Sequence, residues 1–101
     1  MRRVAIIARL KSGCEERAAE LIARGAPFDP EETGFDRHTV FLSATEVVFV
    51  FEGTEVDARV DELVENPSPW MLSDAFDNWR PLIEGRPRIA RERYFWERTY
   101  D

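Results

Sequence analysis

Two short stretches constrain what this chain can fold into. Residues 3–10 and 46–52 are strand-like runs in which successive side chains point to opposite faces. In the first run, one side carries Val4, Ile6, Ala8 and Leu10, and the other carries Arg3, Ala5, Ile7 and Arg9. In the second, one side carries Val47, Phe49 and Phe51, and the other carries Glu46, Val48, Val50 and Glu52. The first set of each pair is apolar throughout and belongs against a core. The second set is apolar in the middle and charged at its ends. A sheet built on these strands needs a layer on one face and something further on the other.

The helices supply one layer. Ser12-Gly13-Cys14-Glu15 has the form of a capping box, with Ser12 as N-cap and Glu15 reaching back to it. Cys14, Ala18, Leu21 and Ile22 follow as one apolar stripe, and Gly25 ends the helix in a left-handed position. Residues 26–36 hold two prolines and four acids, which reads as a loop. Strands are expected over Arg37–Ser43 and Glu46–Glu52, joined at Ala44-Thr45. Thr54 then caps a helix with the stripe Val56, Val60, Leu63 and Val64, which Pro67 stops. Ser68 and Pro69 start a third helix, with Leu72, Phe76 and Trp79 on one face, ending near Pro81. Gly85 and Pro87 close the crossover, and the aromatic-rich stretch Arg88–Thr99 is the expected last strand. The order β-α-β-β-α-α-β, with right-handed crossovers, gives an antiparallel four-stranded sheet of α+β class. Its first and third strands are central, and its helices lie on one face.

Composition narrows the functional classes. A chain of 101 residues is one domain, 1–101, with 44% hydrophobic residues to build a core. Fourteen basic residues against 20 acidic ones give a net charge of −6. That balance argues against a nucleic-acid binder and against a basic patch held to anionic lipid. One cysteine excludes an intrachain disulfide and a CxxC metal site. The apolar run after the basic start is broken by Arg9 and no small-residue cleavage site follows, so it reads as a strand rather than a signal peptide. No apolar run approaches the roughly 20 residues that span a bilayer. The expectation is a cytoplasmic protein with no membrane partner.

The second sheet face is the informative one. Left bare, it would expose an apolar patch on the order of several hundred Å², which soluble monomers rarely tolerate. It either meets the sheet of a second subunit or lines a pocket with Arg9 and Glu52 at its rim. The run Lys11-Ser12-Gly13-Cys14-Glu15-Glu16, directly after a strand, resembles the Lys-x-Gly-x-x-Glu run of the dimeric α+β-barrel superfamily. That resemblance implies a ferredoxin-like βαββαβ domain whose sheets pack face to face in a homodimer, around space that can hold a ligand. Its members include cofactor-free monooxygenases, haem-degrading enzymes, isomerases and stress-responsive proteins, so the fold implies little about chemistry.

Three functional readings are open. The first is a homodimer with a pocket for a small apolar or carboxylate ligand, formed by Arg9, Phe41, Val48, Val50, Glu52 and Trp70. The second is a cofactor-independent monooxygenase or isomerase with His38 as candidate acid or base beside Arg9. The third is a structural interaction domain without a ligand. His38 also has a plainer reading, a strand-end histidine with one hydrogen bond. The haem-degrading members use a histidine on the second helix, where this chain has none. Cys14 at a helix start could be a reactive thiolate, but its place in the apolar stripe makes it a small buried hydrophobe. Asp29, Glu31, Glu32 and Asp36 lack calcium-loop spacing. Arg91 and Arg93 share a strand face and could receive a carboxylate, or simply guard an edge. No metal and no cofactor is called for.

Overall fold

The computed structural model describes residues 2–25, 34–58, 60 and 77–100. Four strands, β1 (Arg2–Leu10), β2 (Arg37–Leu42), β3 (Glu46–Gly53) and β4 (Ile83–Arg91), form one antiparallel sheet in the order β2-β3-β1-β4. The most apolar strands, β1 and β3, are the central pair, in register from Arg2 opposite Gly53 to Arg9 opposite Glu46. β2 runs parallel to β1 with β3 between them, and β4 runs parallel to β3 with β1 between them. These two interleaved crossovers are the split βαβ arrangement expected from the sequence.

One face is the core. Val4, Ile6, Ala8 and Leu10 of β1 and Val47, Phe49 and Phe51 of β3 are all buried there. Helix α1 (Glu15–Ala23) covers them with Ala18 and Leu21, while Cys14 and Ile22 pack at its margin. The chain is helical again at 56–58 and 60, where Val56 and Val60 are buried. Trp79 sets its ring edge-on to Phe49 at 5.2 Å and leads into a single 3₁₀ turn, Arg80–Leu82. Leu63, Val64, Leu72 and Phe76 of the expected helical stripes, and the acids Asp29, Glu31 and Glu32, lie outside the described residues.

Local chemistry departs from expectation in two places. The capping box does not form: Cys14 is the N-cap residue of α1, with no side-chain hydrogen bond. The chain first has to turn out of β1, and the Cys14 amide donates to the Lys11 carbonyl at 3.1 Å across a turn with Gly13 at φ 82°. That turn uses up the position from which Ser12 would have capped. The last strand is also displaced. β4 covers Ile83–Arg91, not Arg88–Thr99, and Glu92–Tyr100 has no regular structure. β4 must pair along β1, and β1 ends at Arg2, so pairing stops where Glu92 N–H donates to the Arg3 carbonyl at 3.2 Å. At its other end β4 starts at Ile83, opposite Leu10. Gly85 and Pro87 are thus inside an edge strand, at a bulge opposite the Ile7–Arg9 stretch, where a missing N–H is tolerated.

The hairpin between β2 and β3 carries no Asn-Gly signal, and Ser43 closes it instead. Its backbone N–H donates to the Glu46 carbonyl at 2.8 Å, and its hydroxyl oxygen accepts from the amides of Thr45 and Glu46 at 3.3 and 3.0 Å. Gly25, at φ 96°, ends α1 by donating to the Ile22 carbonyl at 2.9 Å.

Candidate functional site

Among the described residues, the sheet face away from the core is open. The pairing registers lay it out as rows running across β2, β3, β1 and β4. The two middle rows are Thr39–Val50–Ala5–Ala90 and Phe41–Val48–Ile7–Arg88. Ala5, Ile7, Val48 and Val50 are only half-buried, and Phe41 is 60% exposed. At one end lies the row Arg37–Glu52–Arg3, completed by Glu92 just past β4. At the other end lie Glu46, Arg9 and Glu84, with Arg88 reaching Glu46 at 3.3 Å. The face is an apolar belt between two charged ends.

The site residues expected from the sequence divide accordingly. Arg9, Phe41, Val48, Val50 and Glu52 all stand on the open face. Arg9 and Glu52 are at opposite ends of it, six residues apart along the strands or about 20 Å, so they cannot grip one small ligand between them. Trp70 lies outside the described residues. His38 is on the other side of the sheet: it pairs with Phe51 and shares the core face. Its ring stacks on Phe51 at 4.6 Å, and its Nδ1–H donates to the Val50 carbonyl at 3.1 Å. Burial depresses its pKa, and the hydrogen bond to Val50 opposes that only in part. His38 and Arg9, the pair an enzyme reading would use together, are separated by the thickness of the sheet. His38 and Phe41 are three residues apart on β2, so alternation places them on opposite faces of the sheet.

The shortest ion pair among the described residues is Arg3 with Glu92. The Arg3 guanidinium donates to Glu92 at 2.8 Å, and the Arg3 backbone N–H donates to the same carboxylate at 3.0 Å. These bonds hold the Glu92 pKa below the usual carboxylate range and raise that of Arg3. Sequence reading missed this pair because it placed Glu92 mid-strand. Among the described residues, no group of histidine, cysteine, aspartate and glutamate side chains could hold a metal ion. None of the described helices is long and apolar enough to cross a membrane.

No protein-family model matches the chain, and no curated protein matches it. Solved structures do. Tetracenomycin F2 cyclase from Streptomyces glaucescens, a type II polyketide cyclase, superposes with a TM-score of 0.68 at 15% identity, over 96% of this chain and 98% of that one. A NIPSNAP-family protein of unknown function from Agrobacterium tumefaciens gives 0.59 at 18% identity, over 95% and 91% of the two chains. A protein described as a putative antibiotic biosynthesis monooxygenase from Chloroflexus aurantiacus gives 0.53 at 17%, over 98% of both chains. The chain shares its fold, a four-stranded antiparallel sheet of α+β class, with these proteins. At these identities the likeness carries the ferredoxin-like architecture and no activity.

Proposed function

We propose that this chain, as a single domain over 1–101, works in the cytoplasm as a homodimer closed through the open sheet face. Between the sheets, Phe41, Val48 and Val50 would line space for a small apolar ligand, with Arg9 and Glu52 at its two ends. The observation that supports this is the apolar belt itself: Phe41 stands 60% exposed beside half-buried Ile7 and Val48 on a face no element of the chain covers among the described residues. Face-to-face sheet packing, about 10 Å thick, is the ordinary way to bury such a belt.

Charge favours a second copy as the partner. The end row reads Arg37, Glu52, Arg3, Glu92. Turned about an axis along the strands, a second copy presents Glu, Arg, Glu, Arg to it, opposite in sign at every position. The cyclase and monooxygenase among the similar structures make an enzyme reading natural. With His38 on the core face, however, the acid-base pair it would need is not assembled, and that reading is not adopted.

Light scattering on the purified protein tests the proposal. A dimer at micromolar concentration is expected, and a monomer overturns it. Native mass spectrometry of the same sample separates the ligand from the dimer: an added small-molecule mass identifies an occupied pocket, and an electron-density map showing the belt filled by its own side chains removes the pocket while leaving the dimer.

A further inference from the structure

Where β1 begins and β4 ends, the chain forms a cleft of about 620 Å³, which is within the size range of small-molecule sites. Arg2 and Arg3 line it from β1, Arg91 from the end of β4, and Arg93, Tyr94 and Phe95 from the segment beyond it. Its two carboxylates are already engaged. Glu92 holds Arg3 at 2.8 Å, and Asp57 stands 3.4 Å from Arg2 and 3.9 Å from Arg91. Four guanidiniums therefore face two carboxylates, a local excess of positive charge in a chain of net −6. Arg93 has no ion pair among the described residues.

One wall, made by Arg3, Glu92 and Phe95, is held by contacts within the chain. The Arg3 guanidinium carbon lies 4.4 Å from the centre of the Phe95 ring, so Arg3 is clamped between that ring and Glu92. Glu92 N–H donates to the Arg3 carbonyl, which pins the same segment through its backbone. Tyr94, 81% exposed, stands beside them as a free aromatic surface. Guanidiniums match carboxylates in shape and charge, and a wall so held reduces the ordering cost of binding.

We propose that this cleft binds a small aromatic carboxylate, its carboxylate on Arg93 and the neighbouring guanidiniums and its ring against Tyr94. Its lining residues all belong to one protomer, although Arg3 and Glu92 also stand in the end row of the open face, so the ligand would sit at the margin of the proposed dimer. The test is an NMR titration of the isotope-labelled full chain with naphthoate and, separately, with the neutral naphthylmethanol. Saturable shifts are expected at the amides from Arg91 to Phe95, with an affinity that weakens as salt is added. The alcohol should bind about tenfold more weakly, the worth of one charge-assisted contact. Arg93→Gln should show the same loss for naphthoate, while Arg88→Gln, towards the far end of the open face, should not. Circular dichroism establishes that both variants are folded. Equal affinity for acid and alcohol, or no saturation at millimolar acid, overturns the proposal. So do shifts centred on Ile7 and Val48, which would place the ligand on the open face instead.

Discussion

The two faces of the sheet are made by the same four strands and contain similar residue types, yet they do different things. On the core face, Val4, Val47 and Phe51 are fully enclosed, and α1 and the helical residues near Val56 complete the layer. On the open face, Ala5, Ile7, Val48 and Val50 are as apolar but only half-covered, and the charges are confined to its two ends. The difference lies in the connections between the strands. Ala18 and Leu21 of α1 and Val56 and Val60 of the second helical stretch all join one core, so both helical segments lie on the same side, and the other face has no helix on it among the described residues. Similar apolar residues thus end in a core on one face and at a half-exposed surface on the other, according to what the rest of the chain lays over them.

The sharpest way to break this comparison is to truncate one aromatic on each face. Phe51→Ala removes a ring with no exposed surface and should cost about 3–5 kcal/mol of folding stability. Phe41→Ala removes one that is 60% exposed and should change the stability of the isolated protomer by less than about 0.5 kcal/mol. Its effect should appear in association instead. Urea unfolding at several protein concentrations checks both: Phe51→Ala lowers the midpoint at every concentration, and Phe41→Ala only where the wild type is dimeric. Equal losses would mean that the open face is part of the protomer's own core.

Val48→Glu is the next largest effect. It places a charge in the middle of the belt, opposite Ile7 and Phe41, where a second sheet would have to desolvate it. The expected product is a folded monomer, seen as a halved mass by light scattering with an unchanged far-ultraviolet spectrum. Persistence of the dimer would show that association uses another surface, for which exposed Trp96 and Tyr100 are the first candidates. Glu52→Arg is a milder version. It leaves three positive groups in the end row against Glu92 alone, so dimer dissociation should rise several-fold at low salt and return towards wild type as salt screens the row.

The faces themselves were legible in the sequence because parity needs no register: alternation alone assigns Val48 and Phe49 to opposite sides. Features that depend on pairing were not legible. The charged rows exist only once β2 is aligned on β3 and β4 on β1, and neither alignment is written in local pattern. The last strand was misplaced because Tyr94, Phe95 and Trp96 have strong strand preference, while Gly85 and Pro87 look like breakers. An edge strand accepts both, and the length of its partner, not its own propensity, decides where it stops. The absent capping box at Ser12 has the same origin, a local signal overridden by the turn that leaves β1.

The smallest predicted effect concerns His38, a titratable side chain among the residues of the core face. Its folded pKa is depressed by burial, so the unfolded chain takes up a proton more readily than the folded one. The contribution of His38 to stability is therefore fully present above the ordinary histidine pKa of about 6.5 and is lost as the pH falls through the lower folded value. His38→Phe should flatten that part of the stability-against-pH curve, because an uncharged ring can stack on Phe51 without a proton to gain. Thermal unfolding of wild type and variant between neutral and mildly acidic pH reads this directly. If His38 instead faced the open side, where water reaches the apolar belt, its pKa would stay near the ordinary value. The two proteins would then lose stability in parallel on acidification. The experiment thus assigns His38 to one face or the other by its proton affinity, without reference to any contact distance.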